Sequence, residues 1–504
     1  MPRLLLVLVA SAALLSPAMA QAPIRAQPAA PAAKKSQVPE TPTYPGLFRP
    51  DPLPATEAAR LLKEIEEHQQ AVSNLEEMCD TIGPRLTGSQ KLRDAQKWAM
   101  EKLKSYGAVN VHEEPYAFGR AWTRGEDHAR LLNGNGQLLR VDQMAWTPGT
   151  QGKVKGEVVV LEAETLAELK AMLGHLEGHI VLMGKLPKVN WQDPAARDEF
   201  RGVMAKFKEE HPLVMLLSSE KKADAMNMGG SPLKEEMGGM GSLPAAFIAN
   251  EHAELLKRLV HHGLKPELEV QLGGTFSEQP VMAYNVIGEI RGSEKPEEVV
   301  LVGGHQDSWD LGTGATDNGT GTVAAMEVLR AIKAAGIQPK RTIRAVLFSG
   351  EEQGLMGSQA YAKAHADELK NFQAVLIDDL GTGRIKGWTM EGREADCQGL
   401  LGQAMAGANG IGCRELLPAT IPGASDHWPF EQQGVPAFFA YQEFEDYFTH
   451  THHSQLDTFD HVVPEDLVQG TEAMAVTALG LADLPVRLPH QAAKPAPERT
   501  PAKK

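Results

Sequence analysis

Residues 342–352 read TIRAVLFSGEE, an apolar run that ends in Ser-Gly and two adjacent carboxylates, Glu351 and Glu352. Such a run predicts a buried strand. Two like charges at the end of a buried strand repel each other and lose hydration. An exposed loop would relieve this by solvation and a bound cation would relieve it by neutralisation, so the rest of the chain has to distinguish these explanations.

Four further apolar runs have the same character, and helical stretches separate them. They are NVIGEI (285–290), EVVLVGG (298–304), FQAVLI (372–377) and PAFFA (436–440). Residues 320–335 predict a helix with a broad apolar face. Strands that alternate with helices predict an α/β fold with a mixed, mostly parallel sheet sandwiched by helices. In such sheets the catalytic groups gather at the carboxyl ends of the strands.

Histidine and carboxylate residues follow these predicted strands or the glycine-rich loop after the second one. They are His305, Asp317, Glu351, Glu352, Asp378, Asp379, His450, His452 and His453. Nitrogen and oxygen ligands without a thiolate suit zinc, and also manganese or cobalt. Their number suits a two-metal centre with a bridging carboxylate. Metal ions would also explain the Glu351-Glu352 pair, because one acid can bind metal while its neighbour acts as a general base.

Other catalytic motifs do not occur in the sequence. It contains no G-x-S-x-G elbow, no H-E-x-x-H helix and no G-x-x-x-x-G-K-[ST] loop. Ser425 and His427 lie close together in GASDHWPF, but no elbow supports a serine mechanism there. The metal-centre hypothesis is therefore the one that the motifs favour.

Composition places the chain among ordinary globular proteins. It has 504 residues, of which 42% are hydrophobic and 23% charged, enough for two or more domains. The formal net charge is −15 and the acids are spread along the chain, which argues against nucleic-acid binding. Three cysteines, Cys79, Cys397 and Cys413, leave open whether Cys397 and Cys413 pair.

The N-terminus predicts export. Residues 1–20, MPRLLLVLVASAALLSPAMA, combine a basic start, a short apolar stretch and a small-x-small cleavage site, and are interpreted as a signal peptide. The protein is therefore expected to be secreted or periplasmic. No other run reaches the roughly 18 apolar residues of a membrane span. Residues 21–54 predict a disordered Pro/Ala-rich linker, and residues 488–504 a disordered tail.

Residues 156–260 differ from their surroundings in pattern. The short apolar runs VVVL, HIVLMG, LVMLL and AAFIA alternate there with helical stretches. This pattern predicts an α/β domain inserted into the main one. We assign residues 121–279 to the insertion, and residues 55–120 and 280–487 to the main domain.

Six ordered motifs resemble those of the co-catalytic zinc exopeptidases, the family of secreted aminopeptidases and glutamate carboxypeptidases. They are GPRLTGS (83–89), GGHQDSWDLGTGATDNGTGT (303–322), FSGEEQGLMGS (348–358), IDDLGT (377–382), SDHWPFEQQGVPA (425–437) and HHSQLDT (452–458). The resemblance covers nearly all of residues 55–485. Residues 80–115 look closest to the plasma glutamate carboxypeptidase (carboxypeptidase Q) branch. The insertion is similar to the protease-associated domain of this family.

The resemblance implies two zinc ions per chain. The implied ligands are His305 and Asp379 for one ion, Glu352 and His453 for the other, and Asp317 as the bridge. Asp379 is preferred over Asp378 because the family places this ligand directly before one residue and a glycine. His450 is expected to be a bystander.

The resemblance also assigns three catalytic roles. Glu351 would be the general base toward the attacking water, and Asp307 would orient His305. His452 stands where many relatives have a tyrosine that helps to stabilise the oxyanion, and it can donate a hydrogen bond in that role. The peptide bond Asp317–Asn318 is expected to be cis.

The implied activity is hydrolysis of the N-terminal peptide bond of dipeptides or short peptides, and the implied assembly is a homodimer. Two alternatives use the same fold. Glutaminyl cyclases resemble this ligand set but work with a single zinc, and receptor ectodomains similar to this fold have lost their metal ligands. The complete ligand set and the paired glutamates favour hydrolysis.

Overall fold

The computed structural model describes residues 56–185, 187, 189–190, 193–230 and 243–493. The predicted signal peptide (1–20) and linker (21–54) lie outside the described residues, as do residues 494–504 of the predicted tail. Within the described residues, strands and helices alternate along the chain, which confirms the predicted α/β class.

The strands of the described chain have the following bounds: β1 (Val109–Thr123), β2 (His128–Leu131), β3 (Leu138–Leu139), β4 (Val141–Gln143), β5 (Val154–Glu162), β6 (Ile180–Lys185), β7 (Val214–Ser218), β8 (Ala245–Ile248), β9 (Glu267–Gln271), β10 (Thr275–Ile290), β11 (Lys295–His305), β12 (Arg341–Phe348), β13 (Phe372–Ile377), β14 (Ile385–Thr389), β15 (Glu415–Leu417) and β16 (Ala437–Gln442). The α-helices are α1 (Thr56–His68), α2 (Ala71–Glu77), α3 (Gln90–Ser105), α4 (Leu166–Met172), α5 (Pro194–Glu209), α6 (Asn250–His261), α7 (Thr320–Ala334), α8 (Met356–Ala364), α9 (Ala366–Leu369), α10 (Glu394–Met405), α11 (Trp428–Gln432) and α12 (Pro464–Asp483).

The main sheet has the strand order β1-β10-β12-β11-β13-β16-β14-β15. Its centre, β12-β11-β13-β16, is parallel, whereas β1, β10 and β14 run antiparallel to their inner neighbours. The prediction of a mixed sheet with mostly parallel core strands is thus confirmed. His305 is the last residue of β11 and lies beside Phe348, the last residue of β12, so the two strands end at the same edge.

Helices cover both faces of the main sheet, and alternate residues of each central strand face opposite layers. Val300 and Val302 of β11 belong to the core that includes α7, α12 and α1. Leu301 belongs to the smaller core on the other face, with residues of α8 and α11. Central strands buried on both faces read as continuous apolar runs, which is why their sequences were recognisable.

The second sheet has the order β3-β2-β9-β5-β6-β7-β8-β4 and is formed within residues 128–271. Its strands β5 to β8 are parallel and contain the four apolar runs that predicted an α/β insertion. Helices α4, α5 and α6 accompany this sheet, and it has cores of its own.

The long antiparallel pair β1 and β10 was not predicted as such. The two strands pair from Val109 and Glu289 to Thr123 and Thr275, and therefore cross both predicted domain boundaries. Only β10 joins the centre of the sheet, through its last residues. Most of β1 is exposed or half-buried, so it lacks the apolar run by which the central strands were found.

The structure also bears on the cysteines, the C-terminal tail and the question of a membrane span. Cys79, Cys397 and Cys413 are buried free thiols, so Cys397 and Cys413 do not pair. Leu488 is buried and the backbone of Gln491 donates to Gly434 O, so the ordered chain continues past the predicted start of the tail. None of the described helices combines the length and the apolar character that crossing a bilayer requires.

Candidate metal centre

The carboxyl edge of the main sheet gathers the five predicted ligands. His305 ends β11, Glu352 follows β12, Asp379 follows β13 and His453 follows β16. Asp317 lies in the loop that leads from β11 into α7. Five residues that are up to 148 positions apart in sequence meet because parallel strands end at one edge.

His305 faces two of the predicted carboxylates. Its Nε2 lies 3.2 Å from Asp379 Oδ1 and 3.4 Å from Asp317 Oδ1, and its side chain is 1% exposed. Its Nδ1 lies 2.9 Å from the backbone carbonyl oxygen of Asp307. Since a carbonyl can only accept, Nδ1 is the donor in that contact, and Nε2 is the nitrogen that faces the carboxylates and would bind a metal ion.

His453 faces Glu352 and the other oxygen of Asp317. Its Nε2 lies 3.0 Å from Glu352 Oε2 and 3.5 Å from Asp317 Oδ2. The two oxygens of Asp317 therefore point to different histidines, Oδ1 to His305 and Oδ2 to His453. This is the arrangement that a bridging carboxylate requires.

The donor set fits metal ions. Two donors bound to one tetrahedral zinc at about 2.1 Å lie about 3.4 Å apart, close to the separations of 3.0–3.5 Å between the histidine and carboxylate atoms. Among the described residues, Asp317 Oδ2 and Glu352 Oε1 have no hydrogen-bond partner. Buried carboxylate oxygens without donors are costly unless a cation faces them.

The protonation of this cluster has clear causes. Burial acts to lower the pKa of His453, but Glu352 and Asp317 outweigh it and raise this pKa to about 9. Burial and the Asp317 charge raise the pKa of Glu352 to about 7. Burial would raise the pKa of Asp317, yet the two histidines hold it below its ordinary value. In the metal-free protein the histidines therefore hold protons that a bound dication has to displace.

Asp457 holds the loop that carries Asp317. Its Oδ1 accepts from the backbone N–H of Thr316 at 2.7 Å, and its Oδ2 accepts from that of Asp317 at 3.1 Å. The Asp317–Asn318 peptide is cis, as expected. Asn318 Nδ2 donates to the backbone oxygen of Asp378 at 2.8 Å, so Asp378 helps to fix the loop through its main chain.

Arg85 and Thr87 give the GPRLTGS motif a role that sequence reasoning left unassigned. The buried Arg85 guanidinium donates to the carbonyl oxygens of Gln306, Thr313 and Gly314 at 2.6–2.7 Å. Thr87 Oγ1 donates to Asp307 Oδ2 at 2.8 Å. The motif therefore clamps the loop between His305 and Asp317.

Glu351 lies beside the cluster, with its Oε2 3.9 Å from His305 Nε2 and its side chain 13% exposed. Burial, together with the charges of Asp379 and Glu352, raises its pKa well above the ordinary value, and His305 opposes this only in part. Its backbone N–H donates to Asp307 Oδ1 at 3.4 Å. Asp307 thus orients His305 through its carbonyl and supports Glu351 through its carboxylate.

Comparison with known proteins identifies the family. The model of peptidase family M28 matches residues 285–478. Carboxypeptidase Q of Bos taurus is 32% identical over 417 residues, which span 82% of this chain and 85% of that protein. The chain belongs to peptidase family M28. The predicted family, its carboxypeptidase Q branch and the prediction of a metallopeptidase are confirmed.

Solved M28 structures share the fold. A peptidase M28 precursor from Shewanella amazonensis SB2B superposes with a TM-score of 0.74 at 28% identity, covering 88% of this chain and 98% of that one. A zinc aminopeptidase from Bacillus subtilis superposes with a TM-score of 0.63 at 18% identity, covering 83% and 96%. The second likeness concerns the fold alone.

A cavity of about 520 Å³ opens onto the cluster of predicted metal ligands in this M28 chain. Acids of the cluster form part of its lining, and apolar side chains form much of the rest: Leu355, Leu380, Ile421, Phe439, Phe444 and Phe448. The lining is thus acidic at the cluster and apolar beyond it. This suits a peptide whose backbone lies at the metals while a side chain packs on aromatic rings.

His452 and Tyr447 also line the cavity. Burial and the adjacent His453 lower the pKa of His452 to about 4, so its ring is neutral at neutral pH and carries one N–H donor. A nitrogen of His452 also lies within 4.8 Å of ligand atoms of Asp317 and His453. Sequence reasoning did not find Tyr447, whose ring packs close to Gly381. His450 bonds to Thr449 and stacks on His461, which agrees with a bystander role.

Residues 226–228, which follow β7 of the second sheet, hold the His453 loop in this M28 chain. Met228 donates its backbone N–H to His453 O at 2.7 Å, and Asn227 pairs with Ser454. Met226 donates its backbone N–H to Gln455 Oε1, also at 2.7 Å. His453 has a left-handed backbone, with φ of 51°, so these contacts support a conformation that its own sequence does not favour.

Proposed function

We propose that this chain is an exported zinc exopeptidase that hydrolyses the N-terminal peptide bond of dipeptides or short peptides. The observation that carries the proposal is Asp317, whose two oxygens face His305 and His453 separately. Two zinc ions fit this arrangement. The proposed ligands are His305 and Asp379 for one ion, Glu352 and His453 for the other, and Asp317 as the bridge.

The protein's own groups supply the proton transfers. Bound zinc would polarise the scissile carbonyl and lower the pKa of water. Glu351 lines the cavity beside His305 and would accept a proton from the attacking water and return it to the leaving amine. His452, neutral at neutral pH, donates its N–H to the developing oxyanion. Asp307 keeps His305 and the Glu351 backbone in place through its carbonyl and carboxylate.

The acidic wall of the cavity supports an N-terminal exopeptidase. A free substrate α-amine is a cation, and the carboxylates around His305 and His453 attract it, whereas an acetylated terminus has no such charge. The apolar wall formed by residues such as Phe444 and Phe448 can take a substrate side chain.

The remaining parts of the proposal concern organisation. We propose residues 1–20 as a signal peptide, which would make the protein secreted or periplasmic, and residues 121–279 as a protease-associated-like domain inserted between residues 55–120 and 280–487. The separate cores of the second sheet support the insertion. A homodimer is proposed from the family resemblance.

The test compares three substrates with mature, zinc-loaded protein: an unblocked dipeptide, its N-acetylated twin and an unblocked pentapeptide. Cleavage of only the unblocked substrates is the expected result, and the dipeptide-to-pentapeptide ratio then separates a dipeptidase from an aminopeptidase. If no substrate is cut while two zinc ions are bound, hydrolysis is refuted, and cyclase or receptor-like binding takes its place.

A further inference from the structure

Met228 is hydrogen-bonded to two loops that carry predicted metal ligands. Its backbone N–H donates to His453 O at 2.7 Å. Its sulfur accepts the backbone N–H groups of Leu311 and Gly312, at 3.2 Å and 3.3 Å. These two residues belong to the loop that leads from β11 to Asp317, here called the Asp317 loop. Met228 therefore joins the His453 loop to the Asp317 loop.

The Met228 sulfur is the acceptor on which this part of the Asp317 loop depends. A thioether is a weak acceptor, but among the described residues the N–H groups of Leu311 and Gly312 have no other one. Gly312 is buried and Leu311 half-buried. A buried N–H that loses its acceptor costs more than the hydrogen bond itself contributes. Removal of the sulfur should therefore make the loop shift or open.

Met228 is itself held firmly. The backbone N–H of Ala145 donates to Gly229 O at 3.0 Å, and Ala145 pairs with Gly230. A Cβ at Gly230 would lie 3.1 Å from the Trp309 ring, so the backbone packs directly on that ring. Met228 belongs to the same buried cluster as Trp309 and is 6% exposed. Its two contacts can therefore fix the loops instead of following them.

The two proposed zinc sites differ in how much they depend on Met228. His305 and Asp379 stand at the ends of β11 and β13, which pair in parallel. His453 lies instead on a loop in a left-handed conformation, and its carbonyl oxygen is bonded to Met228. Loss of the sulfur contacts should therefore move Asp317 relative to His453 and leave His305 beside Asp379.

We propose that Met228 is a positioning residue that fixes the distance between His453 and the bridging Asp317, and so makes binding of the second zinc ion possible. The proposal rests on the proposed two-zinc exopeptidase function and concerns that same centre. Met228 acts through the two loops and is not itself a ligand. Residues that support ligands in this way commonly change metal affinity by about 10–100-fold.

The test titrates metal-free, full-length protein with zinc in competition with a chelator, which gives a dissociation constant for each ion. Met228→Leu keeps the apolar volume and the backbone N–H but removes the acceptor. One dissociation constant should rise about 10–100-fold and the other should stay unchanged. The weakened step should be the one that Glu352→Gln lacks. Met228→Gln offers an amide oxygen as acceptor and should recover part of the lost affinity.

Met226→Leu is the matched control. Met226 is buried in the same segment, and its backbone N–H donates to Gln455 Oε1 at 2.7 Å, a contact that leucine keeps. In the described part of the chain its sulfur accepts no hydrogen bond. Both zinc dissociation constants should stay at their wild-type values in this variant.

Hydrogen–deuterium exchange of wild-type protein gives a second measurement, which needs no variant to fold. The amides of Leu311 and Gly312 should be protected from exchange, because the Met228 sulfur accepts from both. In Met228→Leu they should exchange about tenfold faster or more, in line with a lost hydrogen bond.

Four results would overturn the proposal: unprotected amides at 311 and 312 in wild-type protein, a single bound ion in wild-type protein, unchanged or equally weakened binding of both ions in Met228→Leu, or the same effect in Met226→Leu. All of these are measured without substrate. Failure of the zinc-loaded enzyme to cut any unblocked peptide would instead refute the proposed hydrolysis and leave the role of Met228 standing.

Discussion

At the scale of single residues, Glu351 and Glu352 are neighbours in sequence with different surroundings. Glu352 Oε2 lies 3.0 Å from His453 Nε2, whereas Glu351 lies beside His305 with its side chain 13% exposed. The problem of two adjacent acids at a strand end is resolved because one can bind metal and the other can face water.

This difference gives the first prediction. Glu351→Gln should lower kcat by about 10²–10⁴-fold, because the amide cannot accept a proton from water, while zinc content stays the same. Glu352→Gln is the matched variant and should lose zinc. Steady-state kinetics and metal analysis of both proteins test this, and loss of zinc from Glu351→Gln would assign it to the ligands instead.

The hydrogen-bond donor to the oxyanion can also be tested with single residues, His452 and Tyr447. We expect His452→Ala to lower kcat by about 10²–10³-fold, the usual effect of removing such a donor. Tyr447→Phe should have a much smaller effect on kcat, because the proposed oxyanion donor is the His452 ring and not the Tyr447 phenol. Measured kcat values for the two variants decide the matter. The opposite order would make Tyr447 the donor, in spite of its position six residues before His453.

At the scale of elements, the strands that end at the site were the most predictable. The central strands β11, β12 and β13 are buried on both faces and read as apolar runs. The long pair β1 and β10 was missed because β1 has few buried residues, so that its strand structure depends on pairing with β10. The contact of residues 226–228 with the His453 loop had no sequence signal, since it is made largely by backbone groups.

That contact gives the third prediction. Gln455→Leu removes the acceptor for the Met226 backbone N–H and should weaken zinc binding at the His453 site by about 10–100-fold, as loss of a supporting contact commonly does. Chelator competition followed by metal analysis measures this. Gln403→Leu, an exposed position on α10, is the control. Equal zinc affinity in both variants would show that the contact is not needed.

At the scale of the whole molecule, several acids around the site keep their protons up to a higher pH in the folded state than in the unfolded state. Burial is the first cause for each, and raises the pKa to about 7 for Glu352, Asp378, Asp426 and Asp457. Between about pH 4 and pH 7 the folded protein therefore binds more protons than the unfolded chain. His453, with a pKa of about 9, extends this excess of bound protons in the folded state to higher pH.

When the folded state binds more protons, stability falls as pH rises. The Tm of metal-free protein should fall between about pH 5 and pH 8, and zinc should raise Tm more at the higher pH, where fewer protons compete for the ligands. Calorimetry with and without zinc measures both trends. A rising Tm of the metal-free protein over this range would contradict the prediction.

The sequence by itself determined the class of fold, the order of the ligand-bearing strand ends and the family. This is because buried parallel strands impose apolar runs and because six ordered motifs are specific. Only the tertiary structure decided how Asp317 faces both histidines, that Arg85 and Asp457 hold its loop, and that residues 226–228 support the His453 loop. Those contacts join residues far apart in the chain, largely through backbone atoms, which carry no residue-specific signal.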